Sequence, residues 1–337
     1  MTFVLNTYIV YVLDKRSHRM AHEVETMAYA GELPWHGLGV EVSNELTPMM
    51  MMDKAGLDWT VHECESFIEH NGEKIKTGQK SLVRSTDGKI LTNVGENWKP
   101  VQNETAFEFF SDFVNSGDME MHTAGSLKGG EMVWALAKVK ESFDLFGGDQ
   151  VDSYLLFSNP HTYGKSIDIR FTPIRVVCNN TLTMSLGQDV AVGTKLSHRS
   201  EFDADTVKQT LGLAHEKFDR YKDMAEFLGK KKFSVDALLN YYSEVFPLTS
   251  GADDLPKQAT YESLSRMGKA AHDVIQTQPG SNFAEGSWWQ ALNSVTYHTD
   301  HVQGRNNDTR LHSQWFGANQ QRKIRAAEKA VEYANVA

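Results

Sequence analysis

Four glycine-bearing dipeptides punctuate the first half of the chain at hairpin spacing, and they constrain the fold more than any other feature. Asn71-Gly72 separates WTVHECESFIEH from EKIKT, and Asp87-Gly88 separates SLVRST from KILTNV. Gly129-Gly130 separates MEMHTAGSLK from EMVWALAKV, and Gly147-Gly148 precedes VDSYLLFSN, which Asn159-Pro160 breaks. Asn-Gly and Asp-Gly favour tight reversals because both central residues must take positive φ, which a larger side chain resists. A meandering antiparallel sheet is therefore predicted. One helix interrupts it, with Asn103 as N-cap, Thr105–Val114 as body, and Phe107, Phe110 and Val114 on one face.

In KSIDIRF (165–171), Ile167, Ile169 and Phe171 alternate with Ser166, Asp168 and Arg170, the pattern of a half-buried strand. Thr172 is placed to cap a helix with Pro173 at its first position. Ile174, Val177, Cys178, Thr181 and Leu182 then form its apolar face. The second half reads as helical. Val207, Leu211, Ala214, Phe218, Tyr221, Ala225 and Leu228 alternate 4 and 3 apart as a packing seam, closed by Lys230–Lys232. Further helices are predicted from Ser234 to Pro247, over 258–276, from Gly286 with Trp288, Leu292, Val295 and Val302 inward, and over 318–335; GRNND (304–308) is predicted as a loop. The expected class is α+β: a meandering antiparallel β-sheet with crossing helices, followed by a helical C-terminal region. The expected divisions are 1–19, a start-site extension or extra strand; 20–200, a β-rich core; and 201–337, the helical region.

The chain has 337 residues, enough to bury a core without covalent staples. Its two cysteines, Cys64 and Cys178, make no disulfide framework, and a reduced, cytoplasmic setting is expected. The apolar run 2–13 is shorter than the roughly 20 residues of a membrane helix, so no membrane association is expected. With 34 Lys+Arg against 44 Asp+Glu the net charge is −10, which excludes a globally basic nucleic-acid coat but not a local basic groove. Residues 20–171 carry 12 Lys+Arg against 24 Asp+Glu, whereas 172–337 balance, so two surfaces of different character are expected.

Phosphate-loop, dinucleotide, nucleophile-elbow and zinc-protease motifs are absent. His298 and His301, with Asp300, are the best metal candidates, but Asp300 points off the line joining the two histidines; no metal and no cofactor is expected. Cys178 falls on an apolar helical face, where a thiol is inert. Trp35-His36-Gly37 lies in a Gly/Pro-rich loop that could stack a base or simply cover a core edge, and Trp98-Lys99-Pro100 invites the same two readings. The basic candidates are Lys165, Arg170 and Arg175 with the poor helix formers Asn179 and Asn180, then Lys195, His198 and Arg199, then a ridge of Arg322, Arg325 and Lys329.

Three blocks in order carry a resemblance: MAHEVETMAYAGELPWHGLG near the start, TPIRVVCNNTLTMSL at 172–186, and NSVTYHTDHVQGRN…SQWFGANQQRKIRAAEKA at the end. Over about 20–335 the chain resembles the phage- and plasmid-borne DUF932 family. The resemblance implies a bacteriophage or mobile-element setting and no established activity. In that setting single-stranded DNA is the expected partner. The hairpins followed by a strand and crossing helix are similar to the core of Rad52-like strand-annealing recombination proteins, which work as homo-oligomeric rings without ATP. Arg170 and Arg175 would contact phosphates and Asn179 and Asn180 sugar or base edges, Lys165, Lys195 and Arg199 are further nucleic-acid-binding candidates, and Trp35 and His36 would stack bases. Two alternatives stay open: a non-catalytic phage protein-interaction (host-takeover or assembly) protein, and an enzyme with an unrecognised nucleotide or nucleic-acid site.

Overall fold

The computed structural model describes residues 24–31, 39–175, 180–181, 193–199, 202–204, 214–248, 258–304 and 307–336. The 1–19 segment, Trp35, His36, Cys178, Asn179 and the 205–213 part of the predicted seam lie outside them.

The sheet strands are β1 (Val24–Ala30), β2 (Val40–Val42), β3 (Val61–His70), β4 (Glu73–Arg84), β5 (Ile90–Gly95), β6 (Met119–Leu127), β7 (Met132–Leu145), β8 (Asp149–Pro160), β9 (Ile167–Arg175), β10 (Asn180–Thr181) and β11 (Gly193–Leu196). They form two sheets. The larger runs β10-β9-β8-β7-β6-β1-β2, with β11 also paired to β9; the smaller runs β3-β4-β5. All ladders are antiparallel except β1–β2, which is parallel. The predicted turns sit where the dipeptides placed them. At Asn71-Gly72 both residues are left-handed (φ 53° and 80°) and His70 pairs with Glu73, a two-residue reversal. At Asp87-Gly88 only the glycine is left-handed, and the connection is wider.

Three short helices, α1 (Pro48–Lys54), α2 (Asn103–Glu108) and α3 (Ser111–Asn115), cover one face of the large sheet together with the small sheet. The sheet meets them with small residues, Ala28, Ala30, Ala124, Ala135 and Ala137, so that Phe107, Phe109 and Phe110 can approach closely. The single helix predicted over 105–114 is broken into α2 and α3, and Asn103 is not its cap. The Asn103 side chain turns inward: Nδ2 donates to the carbonyls of Leu57 (3.0 Å) and Trp59 (3.3 Å), leaving Gln102 at the cap position.

A second correction concerns Thr172-Pro173. Both belong to β9, where Tyr154 pairs with Thr172 and Ser153 with Pro173, and no helix starts there. On the other edge of β9, β11 pairs only as far as Arg170 and β10 begins opposite Ile174. Among the described residues Pro173 has a ladder partner on β8 and none on that second edge, the kind of position where a missing N–H is tolerated.

The helical region comprises α4 (Ala214–Lys230), α5 (Val235–Val245), α6 (Arg266–Asp273), α7 (Trp288–Tyr297), α8 (Asn307–Phe316) and α9 (Ala318–Val336). Ser234, Ser265 and Ser287 accept from the backbone N–H three residues on, so α5, α6 and α7 each have a side-chain cap. The helix predicted over 258–276 is only the eight residues of α6, and α8 begins inside the predicted GRNND loop. Tyr221, Ala225 and Leu228 keep their place on the seam and pack with Tyr241, Tyr242, Trp288, Trp289, Ala326 and Ala330. A π-helical turn, His298–Val302, continues α7 and shifts the register, leaving Val302 46% exposed and out of the seam.

Candidate functional site

Arg170 does not face solvent. Leu156 is its neighbour on β8, on the sheet face that also carries Met132, Trp134 and Tyr154, and α8 closes over that face with Trp315. The Arg170 guanidinium lies 3.4 Å from Asp168, donates to the Trp315 carbonyl at 2.5 Å and sits 5.7 Å from the Phe316 ring centre. Burial pulls its pKa down, and the Asp168 carboxylate opposes that. A guanidinium held by a carboxylate under aromatic rings is not offered to a phosphate. The basic trough expected from the sequence around 165–180 is thus not formed at Arg170. Arg175 and Asn180 are paired across β9 and β10, and Asn179 lies outside the described residues. Lys195 is exposed on β11, across from Asp168.

The remaining candidates, Lys165 and Arg199, do reach the surface, beside an aromatic residue that the sequence patterns did not single out. Tyr163, 66% exposed, lies in the loop between β8 and β9. It lines a cleft of about 550 Å³ with Trp98, Arg199, Gln79, Asn93 and Glu96. Two buried histidines hold this site. His161 begins the loop; its Nε2 meets Asn103 Oδ1 at 3.0 Å, its ring stands edge-on to Trp59, and its backbone N–H donates to Glu131. Burial drops the His161 pKa to about 3, so the ring is neutral at physiological pH. His198 stacks on Trp98, with ring centres 4.0 Å apart and planes inclined by 19°. Its Nδ1–H donates to the Lys99 carbonyl at 3.0 Å, while the Lys99 N–H donates to the His198 carbonyl at 2.7 Å. Arg199 follows directly, in a turn where its N–H donates to Ser197 Oγ. The Trp98-Lys99 loop thus fastens the strand end that presents Arg199, and Trp98 itself is buried.

More cations gather at this end of the sheet. Lys128, in the β6–β7 turn, is exposed, as is Lys165. Both lie close enough to His312 of α8 to add to the burial that holds its pKa at about 4. Lys89 donates to the Gly129 carbonyl in the same turn, at 2.7 Å. The arrangement offers an exposed phenol ring, amide side chains and flanking cations, which suits stacking and phosphate neutralisation. Glu96, the one carboxylate among the described residues lining the cleft, opposes a phosphate inside it and leaves that space to a neutral group.

The metal candidates resolve differently. Among the described residues no group of three or more His, Cys, Asp or Glu could hold a metal ion. Asp300 binds Lys323 of α9 at 2.9 Å, both side chains fully buried, and His298 packs edge-on to Phe246. On the basic ridge, Lys329 lies 2.7 Å from both Glu244 and Glu332, and Arg322 donates to Asn319, so two of its three cations serve packing. No helix among the described residues is long and apolar enough to cross a membrane.

No curated protein and no solved structure matches the chain. A family match does exist: the domain of unknown function DUF932 covers residues 90–326, well over half the sequence, from β5 through α9 and including Trp98, Tyr163, Lys165 and Arg199. With that coverage the chain belongs to the DUF932 family.

Proposed function

We propose that this chain binds single-stranded DNA, and that the Tyr163 cleft rather than Arg170 is where it does so. The observation that carries the reading is the two-thirds exposed Tyr163 ring in a cleft that also holds Arg199, with Lys165 two residues on. Single strands are bound by aromatic faces that accept any base and by cations that follow the backbone. Duplex DNA keeps its base faces stacked and would leave the ring unused. The net charge of −10 is compatible, because only the groove need be positive. Strand annealing in mobile-element recombination is the finer form of the proposal. It needs only extended strands with accessible bases, which agrees with the absence of any nucleotide-phosphate motif.

The test is fluorescence anisotropy with labelled oligonucleotides over a salt series. Tyr163→Ala is expected to weaken binding by roughly 5- to 150-fold, the worth of one stacked base. Lys165→Ala/Arg199→Ala is expected to flatten the dependence of log K on log salt by about 0.7 for each phosphate no longer neutralised. All three side chains are exposed, so loss of the fold does not obscure the result. No binding at low salt, or equal binding by wild type and both variants, refutes the proposal. Acceleration of complementary-strand pairing tests the annealing form separately.

A further inference from the structure

The β3–β4 hairpin leaves the body of the molecule. From His62 to Gln79 every residue is exposed except Ser66, which is half-exposed, so neither face of this stretch is covered. A two-stranded ribbon alone in water is marginal. This one nevertheless carries apolar side chains near its tip: Phe67 (52% exposed), Ile68 (55%) and Ile75 (44%). The register assigns them to faces. Phe67 pairs with Lys76, and two positions on Glu69 pairs with Lys74, so one face carries the ring, both ammonium groups and Glu69. Ile68 pairs with Ile75 on the opposite face. Hydrocarbon on both faces at one end suits a knob that is enclosed, rather than a strap lying flat on a surface.

A receptor of matching character lies elsewhere on the chain. Beside α2 and α3 a groove of about 480 Å³ has Met49, Phe109, Phe202 and Ala204 in its lining. Its described lining also includes the carboxylates of Glu104, Glu108 and Asp112 and no Lys or Arg. Glu104 and Glu108 stand one helical turn apart and are exposed. The knob is exposed and no residue of the arm is among the groove's described lining, so the two do not satisfy each other within one chain.

We infer that the Phe67 knob of one copy docks in the α2–α3 groove of a second copy of this chain, with Lys74 and Lys76 meeting Glu104 and Glu108. Lys76 is held by Glu65 in the free arm, but both partners are more than half exposed, and pairs of that kind contribute little, so exchanging the carboxylate is easy. The eighteen-residue arm approaches the 20–30 residues a side of a stable interface, about 800 Å² per partner. Because knob and groove are different surfaces, two copies either exchange arms reciprocally and close as a two-fold dimer, or join head-to-tail and propagate to a ring or a filament. This inference is independent of the DNA reading.

Sedimentation or light scattering on the full chain tests it, with Phe67→Ser/Ile75→Ser as the knob variant and Glu104→Lys/Glu108→Lys as the groove variant. Wild type is expected to assemble beyond protomer mass with concentration, and each variant alone to remain at the 37.9 kDa protomer mass. An equimolar mixture of the two variants retains one intact knob and one intact groove, and is expected to give a dimer that grows no further. Circular dichroism melts matching wild type establish that both variants fold. A wild type that stays at protomer mass, a knob variant that assembles like wild type, or a mixture that fails to dimerise overturns the inference. A groove variant that dimerises alone also overturns it, and would signify a symmetric knob-to-knob contact.

Discussion

Replacing Lys323 with Met is the sharpest test of how the helical region is held to the π-helical turn. Lys323 Nζ and Asp300 Oδ1 are 2.9 Å apart, and neither side chain has any exposed surface. The contact is flanked by Asn319, whose Nδ2 donates to the Thr299 carbonyl at 2.9 Å. Burial pulls the Lys323 pKa down, and Asp300 pulls it back up. Met has nearly the shape of Lys without its charge, so Lys323→Met creates little cavity but leaves the Asp300 carboxylate buried without its ammonium. Removing one member of a buried pair costs about 3–5 kcal/mol. For 337 residues melting together, the unfolding entropy is roughly 0.7 kcal/mol/K, so the expected fall in Tm is about 4–7 °C. Asp300→Leu/Lys323→Met removes both charges and is expected to return to within about 1 kcal/mol of wild type, or above it. Asp300→Asn differs in kind, because a lysine can shed its proton. Its folded pKa then lies further below the unfolded value of 10.5, so the unfolded chain binds more protons in that interval and the variant gains stability as pH rises towards 10.5. Urea titrations read by circular dichroism measure all three. The reasoning fails if Lys323→Met costs under about 1 kcal/mol, or if the double variant is less stable than either single one.

Two further outcomes are expected. His122 and His161 are held neutral by burial, with pKa values lowered to about 4 and about 3, whereas the unfolded chain protonates near 6.5. The unfolded state therefore binds more protons below that pH, and stability falls by about 3 kcal/mol per histidine between pH 6.5 and 4. His122→Phe should flatten the measured pH dependence, and an unchanged slope would contradict the assignment. Asn103→Leu removes the donor to Leu57 and Trp59 and the partner of His161, at a cost of about 1–3 kcal/mol for each polar group left unsatisfied. Since His161 begins the Tyr163 loop, the same variant should also weaken oligonucleotide binding, and a wild-type Kd in a destabilised protein would separate the loop's anchor from the cleft.

The elements that sequence reasoning located are those decided by local chemistry. Asn71-Gly72 reverses the chain because of its own backbone requirements, and Ser234 and Ser287 cap α5 and α7 with bonds spanning three residues. Thr172-Pro173 shows the limit. Thr-Pro before an apolar 3.6-residue period is a fair helix start, yet the pairing of Thr172 with Tyr154 and of Pro173 with Ser153 on β8 overrides it. Asn103 fails in the same way: its local capping role loses to carbonyls more than 40 residues away, at Leu57 and Trp59.

Arg170 and Tyr163 divide along the same line. Alternation assigns Arg170 to the polar face of its strand, and it is on that face; what a strand pattern cannot state is that α8, some 140 residues later, covers the face with Trp315 and Phe316. A charged residue on the outer side of a strand is therefore weak grounds for a binding contact whenever enough chain follows to build a second layer. Tyr163 has the opposite history. It stands between His161 and Gly164, in a stretch with Asn159-Pro160 before it and Lys165 after it, a turn that carries the ring to the surface, whereas the Trp98 ring, also in a loop, is buried against His198. That signal was present in the sequence. Reading aromatics within turns beside a flanking cation gives both Tyr163-Lys165 and Trp98-Lys99, and only the packing of His198 on Trp98, distant in the chain, decides which ring stays exposed.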